Sequence, residues 1–385
     1  MRSTGTYATS TTLGESVRAF VPHRLPPAGP ALAPEAFDAR NRSAELALAR
    51  LSGVSGLVPS VDWLLYSAIR KEALLTSQIE GTQATLMDLF DQEAGLAVSN
   101  TDDVAEVTNY LRAFRLVRDN LRSPSGLPIS VRLLCDAHRL LLDGARGAGK
   151  QPGELRRSQN WIGGTRPGNA VFVPPPPGRV PALLAEMERF VHKKPARLAQ
   201  SLPPLVRVAL VHVQFETIHP FLDGNGRIGR LLIAALMEDW GLLPEPLMYL
   251  SGYLKQHQAE YYRSLSAVRT QGDWEGWVAF FLEGVETAAT DAERGIVAIA
   301  SLVAADRRRL LATPKAGAAS LRLFELLPMM PRFTIAQVRQ ALSTSVPTAT
   351  AAVKLLEDLG IARELTGQKK NRSFSYQAYI DVLSA

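Results

Sequence analysis

The sequence predicts a mainly α-helical protein, with one small β-hairpin inside the helical run and a separate C-terminal unit of helices and a hairpin. Three observations carry this. Apolar residues recur at helical spacing through most of the chain between Phe37 and Ala288. Trp161 to Pro177, WIGGTRPGNAVFVPPPP, breaks that period with extended pieces around glycine and proline. Asp306 to Ala319 turns basic and then small and polar, which marks a boundary near Pro314 to Ala318.

The composition agrees. A chain of 385 residues, 46% hydrophobic and 21% charged, fits two or three globular domains and excludes a fibrous or wholly disordered protein. The 43 Lys and Arg against 37 Asp and Glu permit nucleotide or nucleic-acid binding without arguing for it. A single cysteine, Cys135, excludes an internal disulfide and a cysteine metal site. No window is apolar and uncharged enough to span a membrane, and Met1 to Ala19 lacks a signal-like apolar core, so a cytoplasmic protein is expected.

The elements follow in order. Residues up to about 35 are punctuated by Pro22, Pro26, Pro27, Pro30 and Pro34 and read as an irregular extended arm. Helices are expected from Phe37 to Leu51 and from Val61 to Leu75, the second burying Trp63, Leu64, Leu65, Ala68 and Ile69. Gly81 breaks that run. Thr82 to Gln92, Thr101 to Asn120 and Ile129 to Leu142 are the next helices, the last stopped by Gly144, Gly147 and Gly149. The hairpin pairs Asn160–Ile162 with Ala170–Val173 across Gly163, Gly164 and Pro167-Gly168. Val180 to Lys193, Pro204 to Thr217 and Gly226 to Trp240 are helical, and Ala259 to Ala288 gives at least two more.

One segment concentrates chemistry: His219-Pro220-Phe221-Leu222-Asp223-Gly224-Asn225-Gly226-Arg227-Ile228-Gly229-Arg230. It joins two apolar helices, which would hold an irregular loop rigid. Gly224, Asn225 and Gly226 form a tight turn at a helix start, where backbone N–H groups and the helix dipole attract an anion. Arg227 and Arg230 share one side of the first turn and suit a di- or triphosphate. Asp223 is a hard oxygen ligand for magnesium on phosphate oxygens. His219 can take a proton from a nucleophile. His138, His212 and His257 lack such company and read as structural or surface residues. The residues alone leave AMP transfer and hydrolysis both open.

This segment resembles the Fic signature, HPFx(D/E)GNGRxxR, at every defined position. The resemblance implies a helical Fic core that transfers AMP from ATP to a protein hydroxyl, releasing pyrophosphate. His219 would be the general base and Asp223 would hold Mg²⁺. Gly224, Asn225 and Gly226 would bind phosphates, and Arg227 and Arg230 would grip the β- and γ-phosphates.

Thr76, Glu80 and Gly81 resemble the Fic inhibitory motif, (S/T)xxxE(G/N), placed before the core. By that resemblance Glu80 would pair with Arg230 and misplace the nucleotide phosphates. In some relatives the same glutamate supports removal of AMP, so net deAMPylation is the alternative direction. The expected hairpin resembles the Fic flap, whose residues Trp161, Ile162, Gly163, Gly164, Val171, Phe172 and Val173 would pair with an extended target segment. Arg156 would fix its base. Tyr253 or Tyr261 would lie against the adenine.

Beyond residue 315, three helices (Leu321–Leu327, Thr334–Leu342, Thr348–Leu359) and two strands (Ile361–Leu365, Ser373–Tyr376) resemble a winged helix-turn-helix. Eight basic residues face five acidic ones there. Thr348, Thr350, Lys354, Lys369, Lys370 and Arg372 are candidates for DNA contact, with protein docking or a structural role equally open. A nucleotide-sensing DNA-binding regulator is the rival from another class. The expected domains are therefore 1–110, an arm and helices with the inhibitory segment; 111–315, the catalytic core; and 316–385, the winged helix. The target hydroxyl, on another protein or on this chain itself, and a homodimeric state are left open.

Overall fold

The computed structural model describes residues 3–193, 202–368 and 370–384. Lys369, one candidate for DNA contact, lies outside them.

The chain opens with strands β1 (Gly5–Thr12) and β2 (Glu15–Pro22), antiparallel and in register from Gly5↔Pro22 to Thr12↔Glu15. This corrects the irregular arm. Leu13 and Gly14 both have positive φ, 50° and 78°, the backbone that a two-residue hairpin loop needs. β2 buries Val17, Ala19, Phe20 and Val21.

Helices α1 (Asp38–Val54) and α2 (Val61–Ile79) follow. Ser60 caps α2 by accepting the Asp62 N–H, and Gly81, at φ 99°, ends the run. The helix therefore extends a full turn past the expected Leu75 and carries Thr76 on its last turn, with Glu80 as its C-cap residue. Helix α3 (Leu86–Glu93) begins at Thr85, whose hydroxyl and Asp88 form a capping box. Helices α4 (Thr101–Arg122), α5 (Val131–Leu141) and α6 (Val180–His192) lead to the central pair.

That pair is α7 (Pro204–Ile218) and α8 (Asn225–Asp239). Every residue of α7 from Leu205 to Ile218 is buried, the pattern of a helix surrounded by others. Trp277 and Phe281 pack against it with essentially no exposure, each contributing about 1.5–3 kcal/mol of burial. Helices α9 (Leu250–Gln256) and α10 (Gln258–Gln271) precede α11 (Trp274–Leu311), a single helix of 38 residues that packs on α1, α7, α9 and α10.

The last unit runs α12 (Ala318–Leu326), β3 (Arg332–Thr334), α13 (Ile335–Ala341), α14 (Val346–Asp358), β4 (Arg363–Glu364), β5 (Ser373–Ser375) and α15 (Gln377–Ser384). Its sheet has the order β3-β5-β4, all antiparallel. Lys354 on α14 is paired with Asp358 at 3.1 Å. The unit is fastened to the helical core by polar contacts. Arg332 donates to Asp91 at 2.6 Å, Tyr376 donates to Asp306 at 2.7 Å, and the hydroxyls of Ser67 on α2 and Tyr379 on α15 meet at 2.8 Å in a buried position. No helix among the described residues is long and apolar enough to cross a membrane.

Candidate active site

The signature loop connects α7 to α8. His219 terminates α7 in the left-handed region, at φ 49°, with its N–H still donating to Phe215 at 2.9 Å. A non-glycine residue there is held by its surroundings. Arg156 holds it: its Nε donates to the His219 carbonyl at 2.8 Å, and another nitrogen donates to Pro175 at 2.5 Å. The Arg156 N–H donates to Pro220 at 2.9 Å. One buried guanidinium thus ties the loop to the chain leaving the flap, the role expected of it. The His219 Nδ1 is buried, and the Glu216 backbone is the hydrogen-bonding group beside the ring. Burial, aided by the Arg156 charge, pushes the imidazole pKa down to about 4, so the ring is neutral at pH 7.

Asn225 turns its side chain back into the loop. Its Oδ1 accepts the Phe221 N–H at 2.8 Å and its Nδ2 donates to the Phe221 carbonyl at 2.9 Å. The side chain pins the loop, which leaves its backbone at the start of α8 for any anion. His138 does similar work from α5. Its Nδ1 accepts the Gly153 N–H at 2.9 Å, its Nε2 donates to the Asp223 carbonyl at 3.0 Å, and its ring stacks on Phe221 at 3.9 Å. His212 is also buried, accepting from the Tyr261 hydroxyl at 2.8 Å and donating to the Gly229 carbonyl at 3.2 Å.

The two arginines are both engaged. Arg227 donates to Glu106 on α4 at 3.1 Å, and both side chains are almost fully buried. Arg230 donates through Nε to the Thr76 hydroxyl at 2.6 Å and through Nη2 to Glu80 Oε1 at 2.5 Å. Burial would raise the Glu80 pKa, but the Arg230 charge and hydrogen bond hold it below the usual carboxylate range. Burial acts against Arg230 as well, and its pKa is nevertheless raised by Glu80. A Cβ on Gly226 would collide with Glu80 Oε1, so glycine is what lets the carboxylate reach over the helix start.

The flap is slighter than a hairpin. One antiparallel bridge, Ile162↔Phe172, joins its arms, and Pro167–Asn169 closes the tip as a short 3₁₀ turn. The Pro and Gly content shortens the pairing. Gly163, Gly164 and Val171 are exposed, and Trp161, Ile162, Phe172 and Val173 are half-buried. The N-terminal hairpin braces it: Phe20 N–H donates to the Val173 carbonyl at 2.9 Å, and Glu15 pairs with Arg166 at 2.6 Å.

Tyr253 and Tyr261, expected against the adenine, are both buried, at 7% and 1% exposure. Tyr261 is bonded to His212, and Tyr253 packs on Phe280. The exposed aromatic beside the Glu80–Arg230 pair is Tyr262, at 47%.

The loop and its supports coincide with known proteins. The Fic/DOC family N-terminal description matches residues 39–119, and the Fic/DOC family description matches residues 128–237. The chain carries a Fic/DOC-family domain. Protein adenylyltransferase Fic of Drosophila grimshawi is 31% identical over 214 residues, covering 54% of this chain and 39% of that protein. The chain thus spans about two fifths of the length of that relative. A Fic family protein from Desulfovibrio desulfuricans G20 superposes with a TM-score of 0.52 at 22% identity, over 86% of this chain and 95% of that one. A Fic domain containing signaling protein from Bacteroides thetaiotaomicron VPI-5482 gives 0.55 at 17%, over 67% and 97%. At those identities the structures establish the fold.

Within the Fic domain, Asp223 is the solvent-accessible carboxylate of the loop. It is 43% exposed, and its Oδ1 accepts the Gly224 N–H at 2.6 Å. Among the described residues no group of three or more His, Cys, Asp or Glu side chains forms a cage. A lone accessible carboxylate fits Mg²⁺ held mainly by nucleotide phosphates and water. Glu106 and the loop-pinning role of His138 were not read from the sequence. Their partners lie 121 and 85 residues away, so no local pattern exposes them.

Proposed function

We propose that this chain is an autoinhibited protein adenylyltransferase that moves AMP from ATP to a Ser, Thr or Tyr hydroxyl. The observation that carries the reading is the capture of buried Arg230 by Glu80 beside an intact signature loop. His219, neutral at pH 7, accepts the proton of the incoming hydroxyl. The hydroxyl oxygen bonds to the α-phosphorus, the bond to the bridging oxygen breaks, and pyrophosphate leaves. Mg²⁺ at Asp223 would neutralise phosphate charge. The α8 N-terminus and Arg227 orient the phosphates. Arg230 completes that grip only when Glu80 lets go, because one guanidinium edge cannot serve both anions. The flap, with one bridge and exposed Gly163, Gly164 and Val171, supports docking of an extended target segment with little demand on sequence.

The order α12-β3-α13-α14-β4-β5 supports a winged-helix reading of the last unit. Its buried Tyr379–Ser67 contact with α2 favours a regulatory attachment to the inhibitory helix. DNA binding by α14 and the tip beyond β4, and a homodimer, belong to the same reading as options to be measured, as does a cytoplasmic site of action.

The test is intact-protein mass after incubation with ATP and Mg²⁺. Wild type, Glu80→Gly, and Glu80→Gly with His219→Ala are compared, alone and with cell lysate protein as acceptor. Gain of AMP by Glu80→Gly samples, absent from the double variant, supports the reading. A pre-formed AMP adduct that wild type removes faster than Glu80→Gly would instead favour net deAMPylation.

A further inference from the structure

Glu106 holds more than Arg227. Its Oε2 takes Arg227 at 3.1 Å, and its Oε1 takes the Nε of Arg146 at 2.9 Å. Arg146 lies on the glycine-rich loop between α5 and the flap, which follows neither helical nor strand geometry. The buried carboxylate therefore carries two guanidinium groups, one on each oxygen. Glu106 thus orients two guanidinium groups at once, one of them at the surface.

The two arginines differ in how far they are committed. Arg227 is 4% exposed, whereas the Arg146 side chain is 61% exposed. The Nε of Arg146 meets Glu106 Oε1, and a guanidinium exposed to this extent has further N–H donors to give. The same loop passes directly against the carboxylate of Asp223. A Cβ on Gly147 would lie 2.8 Å from Asp223 Oδ2, and Gly147 sits at φ 95°. Arg146, Arg227 and Asp223 are thus gathered at the start of α8. Arg227 reaches Asp223 at 3.9 Å. Asp103 is the further acidic group near Arg146.

We infer that Arg146 is a third phosphate-binding cation, presented by the loop after α5 and oriented by Glu106 beside Asp223. The inference rests on the nucleotide reading given above and extends it to a residue outside the signature. With 61% of its side chain exposed, Arg146 reaches a polyphosphate from the surface. That distinguishes it from Arg230, which Glu80 must release. Bidentate guanidinium contact to phosphate oxygens is the chemistry it offers.

The test is calorimetric titration of ATP, ADP and AMP with Mg²⁺ into full-length Glu80→Gly, with and without Arg146→Ala or Arg146→Lys. Pyrophosphate release and melting temperature are recorded on the same samples. Arg146→Ala is expected to weaken ATP binding about tenfold and to leave AMP binding unchanged, with Arg146→Lys between. An unchanged ATP affinity in Arg146→Ala overturns the inference and leaves Arg146 as a mere counter-charge to Glu106. Equal weakening of ATP and AMP overturns it too. If Glu80→Gly binds ATP but releases no pyrophosphate even with cell lysate protein as acceptor, the transfer reading fails while the affinity comparison still decides the role of Arg146. A Glu80→Gly protein that binds no ATP overturns both.

Discussion

Arg230 Nη2 lies 2.5 Å from Glu80 Oε1, and the same guanidinium donates from Nε to the Thr76 hydroxyl at 2.6 Å. Two residues of one helical end therefore occupy the edge of Arg230 that a polyphosphate would need. Glu80→Gly is expected to raise AMP transfer at least tenfold, since losing a misplaced phosphate geometry is worth orders of magnitude. Thr76→Ala removes one of the two contacts and is expected to raise it by less. Radiolabelled or mass-detected adduct formation measures both. Equal rates in folded wild type and Glu80→Gly would sink the autoinhibition.

Buried ionisable groups set opposing pH trends. Burial lowers His138, His212 and His219 to about 4, 3 and 4 from 6.5, so the unfolded chain binds more protons below pH 6.5 and stability falls on acidification. Burial raises Glu72 and Glu216 to about 7 from 4.5, so their stabilising protons are lost as pH rises through 7. Glu216→Gln is therefore expected to gain stability relative to wild type at pH 8 compared with pH 5, by at most about 3 kcal/mol. Urea midpoints at the two pH values measure it. The same offset at both would contradict the buried, protonated Glu216.

Asn225 makes two bonds to the Phe221 backbone. Asn225→Ala leaves the Phe221 N–H without its partner, at about 1–3 kcal/mol before relaxation, and leaves the Phe221 carbonyl only the weaker bond from Asn160 Nδ2 at 3.3 Å. In the Glu80→Gly background it is expected to cut adduct formation by more than tenfold while the far-ultraviolet spectrum stays helical. A variant with full activity would mean the loop keeps its shape without that brace.

Tyr379 on α15 meets Ser67 on α2 in a buried contact at 2.8 Å. Tyr379→Phe deletes only the hydroxyl and is expected to destabilise by about 1 kcal/mol. If α2 feels the C-terminal unit, its last turn exchanges amide hydrogens faster in this variant. Unchanged exchange at residues 76–80 would disconnect the unit from the helix.

The segments legible in the sequence are those with local signatures. The loop from His219 to Arg230 and the trio Thr76, Glu80 and Gly81 are contiguous patterns, and most helices are visible as apolar periodicity. The N-terminal hairpin was not legible: GTYATSTT is polar and weakly alternating, its turn is Leu-Gly, and the prolines from Pro22 onward dominate the reading. The flap was overread, because glycine and proline mark a turn without saying how many pairs its arms make. Glu106 and His138 act through partners far along the chain, which periodicity does not encode. Tyr261 looked like an aromatic for a ligand, yet its hydroxyl is spent on His212.

Glu80 stands at the end of α2, where helices fray most readily. The Glu80 side chain is 34% exposed, so opening its pair with Arg230 costs less than the about 3–5 kcal/mol of a fully buried pair, and the open fraction exceeds roughly one molecule in several thousand. The resting protein would then leak, and its basal rate would report directly on how tightly the last turn is wound. A signal acting on such a latch has little work to do: unwinding one turn is enough, and rewinding it restores silence without any chemical step.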